Sequence, residues 1–395
     1  YSIRLVTTNS ATTGGGTATF NIPEITIPSI TVDDEEACLE EMATFSVSGN
    51  GNYSYQWQQV CVGPFGNLTE GLGVPLVTDV AVNGLNVYIA TATGLARSTD
   101  GGATINDNKT TSDGLASDII NAVAVDGADV FAATANGLGI STNNGGSFSN
   151  QSIPFASSMQ DVFVDDDGEI WVATNDGIAQ IIQNLIPPNT VNQFLDNVPI
   201  RSIFVKGTGG SRNIYAGTSS GLYIAKNGST TFELFDNSNG LAANSVADVF
   251  VTNAGTIYAA TSNGVSVSTN GGESFSTISN GLPDINVSKL FIHQGMIFAG
   301  TSQGLAVTNV GADKFTSYNV DNGLGGNLIS GIFVSGTTTD KILYIGTSGG
   351  FSTDDMTITN VGSNSNMHTF MVDDTNAQCR YQVVVTRDGC SVTSN

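Results

Sequence analysis

The sequence predicts an all-β chain: a seven-bladed β-propeller framed by strands from its two ends. Three observations carry this. Only 12% of the 395 residues are charged and 47 are glycine, a composition rich in strands and turns. No long segment carries helical apolar spacing. A Thr-x-x-Gly phrase recurs seven times, anchored at Thr91, Thr134, Thr174, Thr218, Thr261, Thr301 and Thr347, with 40 to 46 residues between successive anchors. That period is the length of one four-stranded propeller blade, so seven copies predict seven blades.

The elements of a copy follow in order. Each opens on an apolar triplet: Val80-Ala81-Val82, Val123-Ala124-Val125, Val162-Phe163-Val164, Ile203-Phe204-Val205, Val249-Phe250-Val251, Leu290-Phe291-Ile292 and Ile332-Phe333-Val334. Near-continuous apolar runs suit an inner strand buried on both faces. A turn such as 83-NGLN-86 leads into a second strand. There an aromatic (Tyr88, Phe131, Trp171, Tyr215, Tyr258, Phe298, Tyr344) stands two residues before an Ala or Gly. Residues two apart share one face of a strand, and the small one leaves room where neighbouring sheets approach. A glycine turn, a third strand, a polar turn and an outer strand complete the blade. One blade cannot bury both faces; a closed ring of seven can, and it protects most sheet edges.

The polar turn reads Ser98-Thr-Asp100-Gly-Gly102-Ala-Thr104, Ser141-Thr-Asn143-Asn-Gly145-Gly-Ser147 and Ser268-Thr-Asn270-Gly-Gly272-Glu-Ser274 in three copies. It resembles the Asp-box of sialidase-type (BNR) propellers, S-x-D-x-G-x-T-W. The phrase is degraded in other copies, and blade three instead has 164-VDDDGEIWVATNDGI-178, which looks like the repeat of two-component-regulator propellers. The expected role is structural: the Asp or Asn bonds backbone N–H groups of its own turn, and the glycines take positive φ.

The resemblance to sialidases implies three convergent arginines, a Tyr–Glu nucleophile pair and an acidic proton donor. The repeats hold only Arg97, Arg201 and Arg212, at unequal blade positions, so neuraminidase chemistry is not expected. The two histidines, His293 and His368, read as surface residues rather than members of a triad. Asp165, Asp166 and Asp167 read as a hairpin turn, since 165-DDDG-168 lacks the alternating spacing of a calcium loop. Acidic residues are plentiful, but nothing singles out a glycosidase pair. The expectation is therefore a non-enzymatic chain with no catalytic, metal or cofactor site. The net charge of −23, from 35 acidic and 12 basic residues, argues against nucleic acid and anionic membranes as partners. No run of 18 apolar residues predicts a membrane-spanning helix.

The four cysteines, Cys38, Cys61, Cys379 and Cys390, lie only in the flanks. An even number without CxxC pairs suits two disulfides in an oxidising compartment and does not suit zinc. Three pairings are open. The flanks read as strands: Met42 to Val47, Tyr53 to Gln58, Thr369 to Val372, Arg380 to Thr386, and a last strand from Cys390. Taken together, they resemble a bacterial Ig-like domain of surface adhesins, with Trp57 and Tyr381 in its core. The resemblance implies that the propeller is inserted into an Ig-like β-sandwich, with residues 30–62 and 364–395 as its halves and 63–363 as the propeller. It also implies the pairings Cys61–Cys379 and Cys38–Cys390.

Residues 1–29 are expected to be an extended N-terminal strand segment. Tyr1, Ile3 and Leu5 alternate, as do Ala18, Phe20 and Ile22, around a glycine hinge. Two readings stay open: a piece of a longer multidomain chain, or a donor strand that pairs with a neighbouring copy and builds a filament. The expected function is an extracellular, cell-surface structural or adhesive protein. Its partners would be copies of itself or adjoining domains, with a glycan as an alternative ligand of the propeller.

Overall fold

The computed structural model describes residues 30–32, 42–47, 54–63, 65–182, 189–336, 340–361, 367–371, 379–387 and 390–393; its side chains are described for 62–63, 65–182, 189–336 and 341–356. The chain divides into two units, one of Tyr1–Val60 with Ile358–Asn395, the other of Cys61–Thr357. The reading of residues 1–29, the cysteine pairings and the roles of Trp57 and Tyr381 lie outside the described part.

The larger unit is a seven-bladed β-propeller. Blade 1 runs Val77–Asn83, Asn86–Thr91, Gly94–Ser98 and Asp107–Lys109, each strand antiparallel to the next. Blades 2 to 6 repeat this order, with inner strands Ile120–Asp126, Met159–Val164, Ser202–Lys206, Val246–Val251 and Val287–His293. Blade 7 has Ile329–Gly336, Asp340–Thr347 and Gly350–Val361, and its outer strand, Gly66–Leu68, comes from before blade 1. The ring is thus closed by pairing the beginning of the unit with its end, Phe351 opposite Leu68 and Thr353 opposite Gly66.

The Thr-x-x-Gly phrase is the turn between second and third strands. In all seven blades the Thr hydroxyl donates to the carbonyl of the Gly three residues on, at 2.7 to 2.9 Å. It also accepts the N–H of the residue two on, as at Thr93, Asn136 and Asn263. All seven threonines are buried. The glycines take φ between +105° and +149°, and a Cβ at Gly221 would meet the Phe235 carbonyl oxygen at 2.3 Å, so a larger residue fails on two counts.

The second-strand aromatics fill the gaps between blades. Tyr88 packs with Ile120 and Val123 of blade 2, Phe131 with Met159 and Val162 of blade 3, and Trp171 with Ile200 and Ile203 of blade 4. Tyr215, Tyr258 and Tyr344 do the same at the 4–5, 5–6 and 7–1 interfaces. Each such ring removes some 150–250 Å² from water and is worth about 3–5 kcal/mol against Ala.

In the smaller unit, Ile30–Val32, Met42–Val47 and Met367–Met371 form one antiparallel sheet in that order. Ser54–Cys61, Cys379–Arg387 and Cys390–Thr393 follow one another in a second ladder, the last two as an antiparallel hairpin.

Candidate functional site: the central channel

The seven inner strands surround a cavity of about 240 Å³. Position by position, the residue before the apolar triplet is Asp79, Ala122, Asp161, Ser202, Asp248, Lys289 and Gly331. The middle of the triplet, two residues on and so on the same strand face, is Ala81, Ala124, Phe163, Phe204, Phe250, Phe291 and Phe333. The cavity lining includes the three Asp, Lys289 and all five Phe.

The carboxylates join blades. Asp79 Oδ2 accepts the N–H of Val123, Asp161 Oδ2 that of Ile203, and Asp248 Oδ2 that of Leu290, at 2.8 to 3.0 Å, each from the next inner strand. The second oxygens of Asp161 and Asp248 accept Val162 and Val249 N–H at 2.9 Å. One residue earlier, the opposite polarity is used: Thr78, Asn121, Ser288 and Ser330 donate to next-blade carbonyls of Ile120, Met159, Ile329 and Val77. Neighbouring inner strands are thus joined by side chains.

The charges do not balance. Lys289 Nζ lies 3.3 Å from Asp79 Oδ1, its one ion pair among the described contacts. Burial pushes the Asp161 carboxyl up to about 7; Lys289 opposes this and Asp248 and Asp79 add to it. Burial raises Asp248 as well. At Lys289 burial disfavours the charge, but Asp79, Asp248 and Asp161 outweigh it and hold the ammonium above its ordinary range.

The phenylalanines form a continuous arc. Successive centroids lie 4.6, 5.2, 5.7 and 5.1 Å apart from Phe163 through Phe204, Phe250 and Phe291 to Phe333. All five are only partly buried, and Ala81 and Ala124 leave the arc open at blades 1 and 2. His293 ends the inner strand of blade 6, with its ring 6.4 Å from Phe291. Contrary to expectation it is not fully at the surface: it is half-buried, its shielded Nε2 has no partner among the described residues, and burial pushes its pKa down.

The residues singled out in the sequence lie elsewhere. In the three polar turns Ser98, Ser141 and Ser268 donate to Asp100, Asn143 and Asn270 at 2.7 to 2.8 Å. The same hydroxyls accept the N–H of Gly102, Gly145 and Gly272. Asp100 accepts the N–H and hydroxyl of Thr104, which with Ser98 holds its carboxyl down to about 2. These turns sit between third and outer strands, and none of their residues lines the cavity. The 165–168 hairpin holds an internal cation: Arg212 from blade 4 meets Asp165, Asp167 and Glu169, each at 2.9 Å, and stacks 5.3 Å from Trp171. Trp171 Nε1 donates to Asp165 at 2.8 Å. Arg97 pairs with Asp107 at 2.6 Å, and Arg201 donates to Ser245. The three arginines are thus committed to separate local structures. Among the described residues no group of three side chains is arranged to hold a metal ion, and no helix is long and apolar enough to cross a membrane.

The fold and channel define the class, a closed seven-bladed propeller with side chains lining its axis. No protein-family model and no curated protein sequence matches the chain. Solved structures resemble it in fold. The extracellular domain of a hybrid two-component system from B. thetaiotaomicron is 14% identical with a TM-score of 0.62; 84% of this chain covers 56% of that one. A catalytically inactive virginiamycin B lyase from Staphylococcus aureus with quinupristin is 12% identical with a TM-score of 0.58, over 78% of this chain and 100% of that one. YCF48 from Cyanidioschyzon merolae is 14% identical with a TM-score of 0.53, over 76% and 98%. At these identities the likeness is one of fold. It corrects one expectation: lyases are built on this fold, so the propeller gives no ground for calling the chain non-enzymatic.

Proposed function

We propose that this is an extracellular surface protein that displays its propeller from a split Ig-like β-sandwich. The observation that carries the reading is the division of the chain: one compact unit takes both ends, and the propeller is the segment between them. A domain inserted in this way is tethered at two points rather than one. The strand orders of the smaller unit, with Met42–Val47 between Ile30–Val32 and Met367–Met371, and Cys379–Arg387 between Ser54–Cys61 and Cys390–Thr393, fit sheets ABE and CFG of an Ig-like domain. Four cysteines confined to the flanks and the likeness to an extracellular domain support an oxidising location. In this reading Cys61 pairs with Cys379 and Cys38 with Cys390. Residues 1–22 lend a strand to a neighbouring copy, giving a head-to-tail polymer. Negative-stain imaging and light scattering of the full chain test it. Polymers that vanish when residues 1–22 are deleted support strand donation; a full chain that stays monomeric at high concentration overturns it.

A further inference from the structure

We propose that the channel binds a small organic cation, an ammonium group on an apolar body, with its charge between Asp161 and Asp248 and its body against the phenylalanine arc. The inference concerns the channel alone and stands apart from the assembly reading.

Three features of the cavity converge on this chemistry. First, Lys289 pairs with Asp79, which leaves Asp161 and Asp248 without an ion pair among the described contacts. Each of the two carboxylates uses one interaction per oxygen on a backbone N–H, and an ionised carboxylate offers about four acceptor sites. Acceptor capacity therefore remains towards the lumen. Second, three carboxyl groups share one ammonium around the cavity, and a second cation favours the ionised form of Asp161 that burial opposes. Third, Phe163, Phe204, Phe250, Phe291 and Phe333 line the same cavity and are partly exposed. Apolar surface left wet is a gain available to a ligand that covers it, and aromatic faces attract cations, most strongly where water is excluded.

The alternatives fit less well. A metal ion needs several ligating side chains at close range, and no such group exists among the described residues. A neutral sugar can donate hydroxyls to the carboxylates but leaves their surplus negative charge uncompensated. The volume, about 240 Å³, is near the lower end of small-molecule sites, about 300 Å³, and too small for a folded partner. The gap at Ala81 and Ala124 leaves the body room on one side, and the exposed Leu76 and Ile119 immediately precede the inner strands of those two blades.

The test is calorimetric titration of the full chain with phenethylammonium, phenethyl alcohol and phenylacetate, which share a ring and differ in charge. The ammonium compound is expected to bind, with the neutral and anionic compounds at least tenfold weaker. Asp161→Asn combined with Asp248→Asn should weaken the ammonium compound at least tenfold, and Phe204→Leu several-fold. The proposal is overturned if the three compounds bind alike, if phenethylammonium does not bind at millimolar concentration, or if Ca²⁺ alone displaces it. The three-compound comparison uses the unaltered protein, so its outcome does not depend on the variants folding.

Discussion

At the scale of single residues, the most repeated device is a hydroxyl. Each Thr of the Thr-x-x-Gly turn is buried and ties a carbonyl and an amide of its own turn together. Thr261 is fully buried, so Thr261→Val keeps the shape and removes the hydroxyl's bonds to the Gly264 carbonyl and the Asn263 amide. Each lost hydrogen bond is worth about 0.5–1.5 kcal/mol, so a loss on the order of 1–3 kcal/mol is expected in chemical denaturation. Thr261→Ser keeps the hydroxyl and should lose less than about 1 kcal/mol, the worth of one methyl group. Equal losses from Val and Ser would mean that the methyl, not the hydroxyl, matters at this turn. The polar turns show the complementary case. Asn143 and Asn270 occupy the place of Asp100 and accept the same serine hydroxyl and the same backbone N–H, so the turn needs an acceptor there and not a charge.

At the scale of elements, the inner strands show what could be read in advance and what could not. The apolar triplets and the second-strand aromatics were legible because strands packed between neighbouring blades favour apolar residues, and a repeat writes that preference seven times. The column of Ala81, Ala124 and five phenylalanines was visible in the same triplets. Its meaning was not, because only closure of the ring turns seven separate strands into one lining. The carboxylates were missed for a related reason. Asp79, Asp161 and Asp248 stand one place before the triplets, where the other blades carry the unlike residues Ala122, Ser202, Lys289 and Gly331. Their shared task, accepting an N–H from the next blade, is invisible along the chain. Asp161 also makes the ring sensitive to pH. The Asp161 pKa, about 7 in the folded protein, lies above the ordinary unfolded value of about 3.9. The folded state therefore holds a proton that the unfolded state has lost, and stability falls as pH rises from about 4 to 7. Asp161→Asn removes that titration. The wild type should lose on the order of 1–2 kcal/mol more than the variant across this window, after allowing for the carboxyl's partial exposure to the lumen. Thermal unfolding of both proteins at stepped pH checks it, and parallel curves would remove Asp161 from the explanation.

At the scale of the whole molecule, closure is the decisive step. Blade 7 has three strands from the end of the unit and one from its beginning, so the last interface cannot form until residues separated by nearly the entire propeller meet. Asn67 reinforces this join: its amide donates to the Gly323 carbonyl, and Ser352 donates to its side-chain oxygen. The counts of blades and of strands within a blade were legible in the sequence, but the joining strand was not. Gly66–Leu68 is three residues long, mostly exposed and without an apolar pattern, and its only distinction is its partner. A matched pair of substitutions isolates what closure is worth. Asn67 and Asn150 are each the middle residue of a three-residue outer strand, facing Ser352 and Gly139. Proline at either site disturbs a three-residue outer strand to a similar local extent. In blade 2 the damage stops there, because the strand is continuous with its own blade. At Asn67 it also loosens the one pairing that holds the ring shut, exposing the faces of blades 7 and 1 to water. Asn67→Pro should therefore lower the thermal midpoint by several degrees more than Asn150→Pro and speed proteolysis between the blades. Equal midpoints would show that the ring holds through its side-chain latches and interlocked aromatics, with the joining strand a passenger.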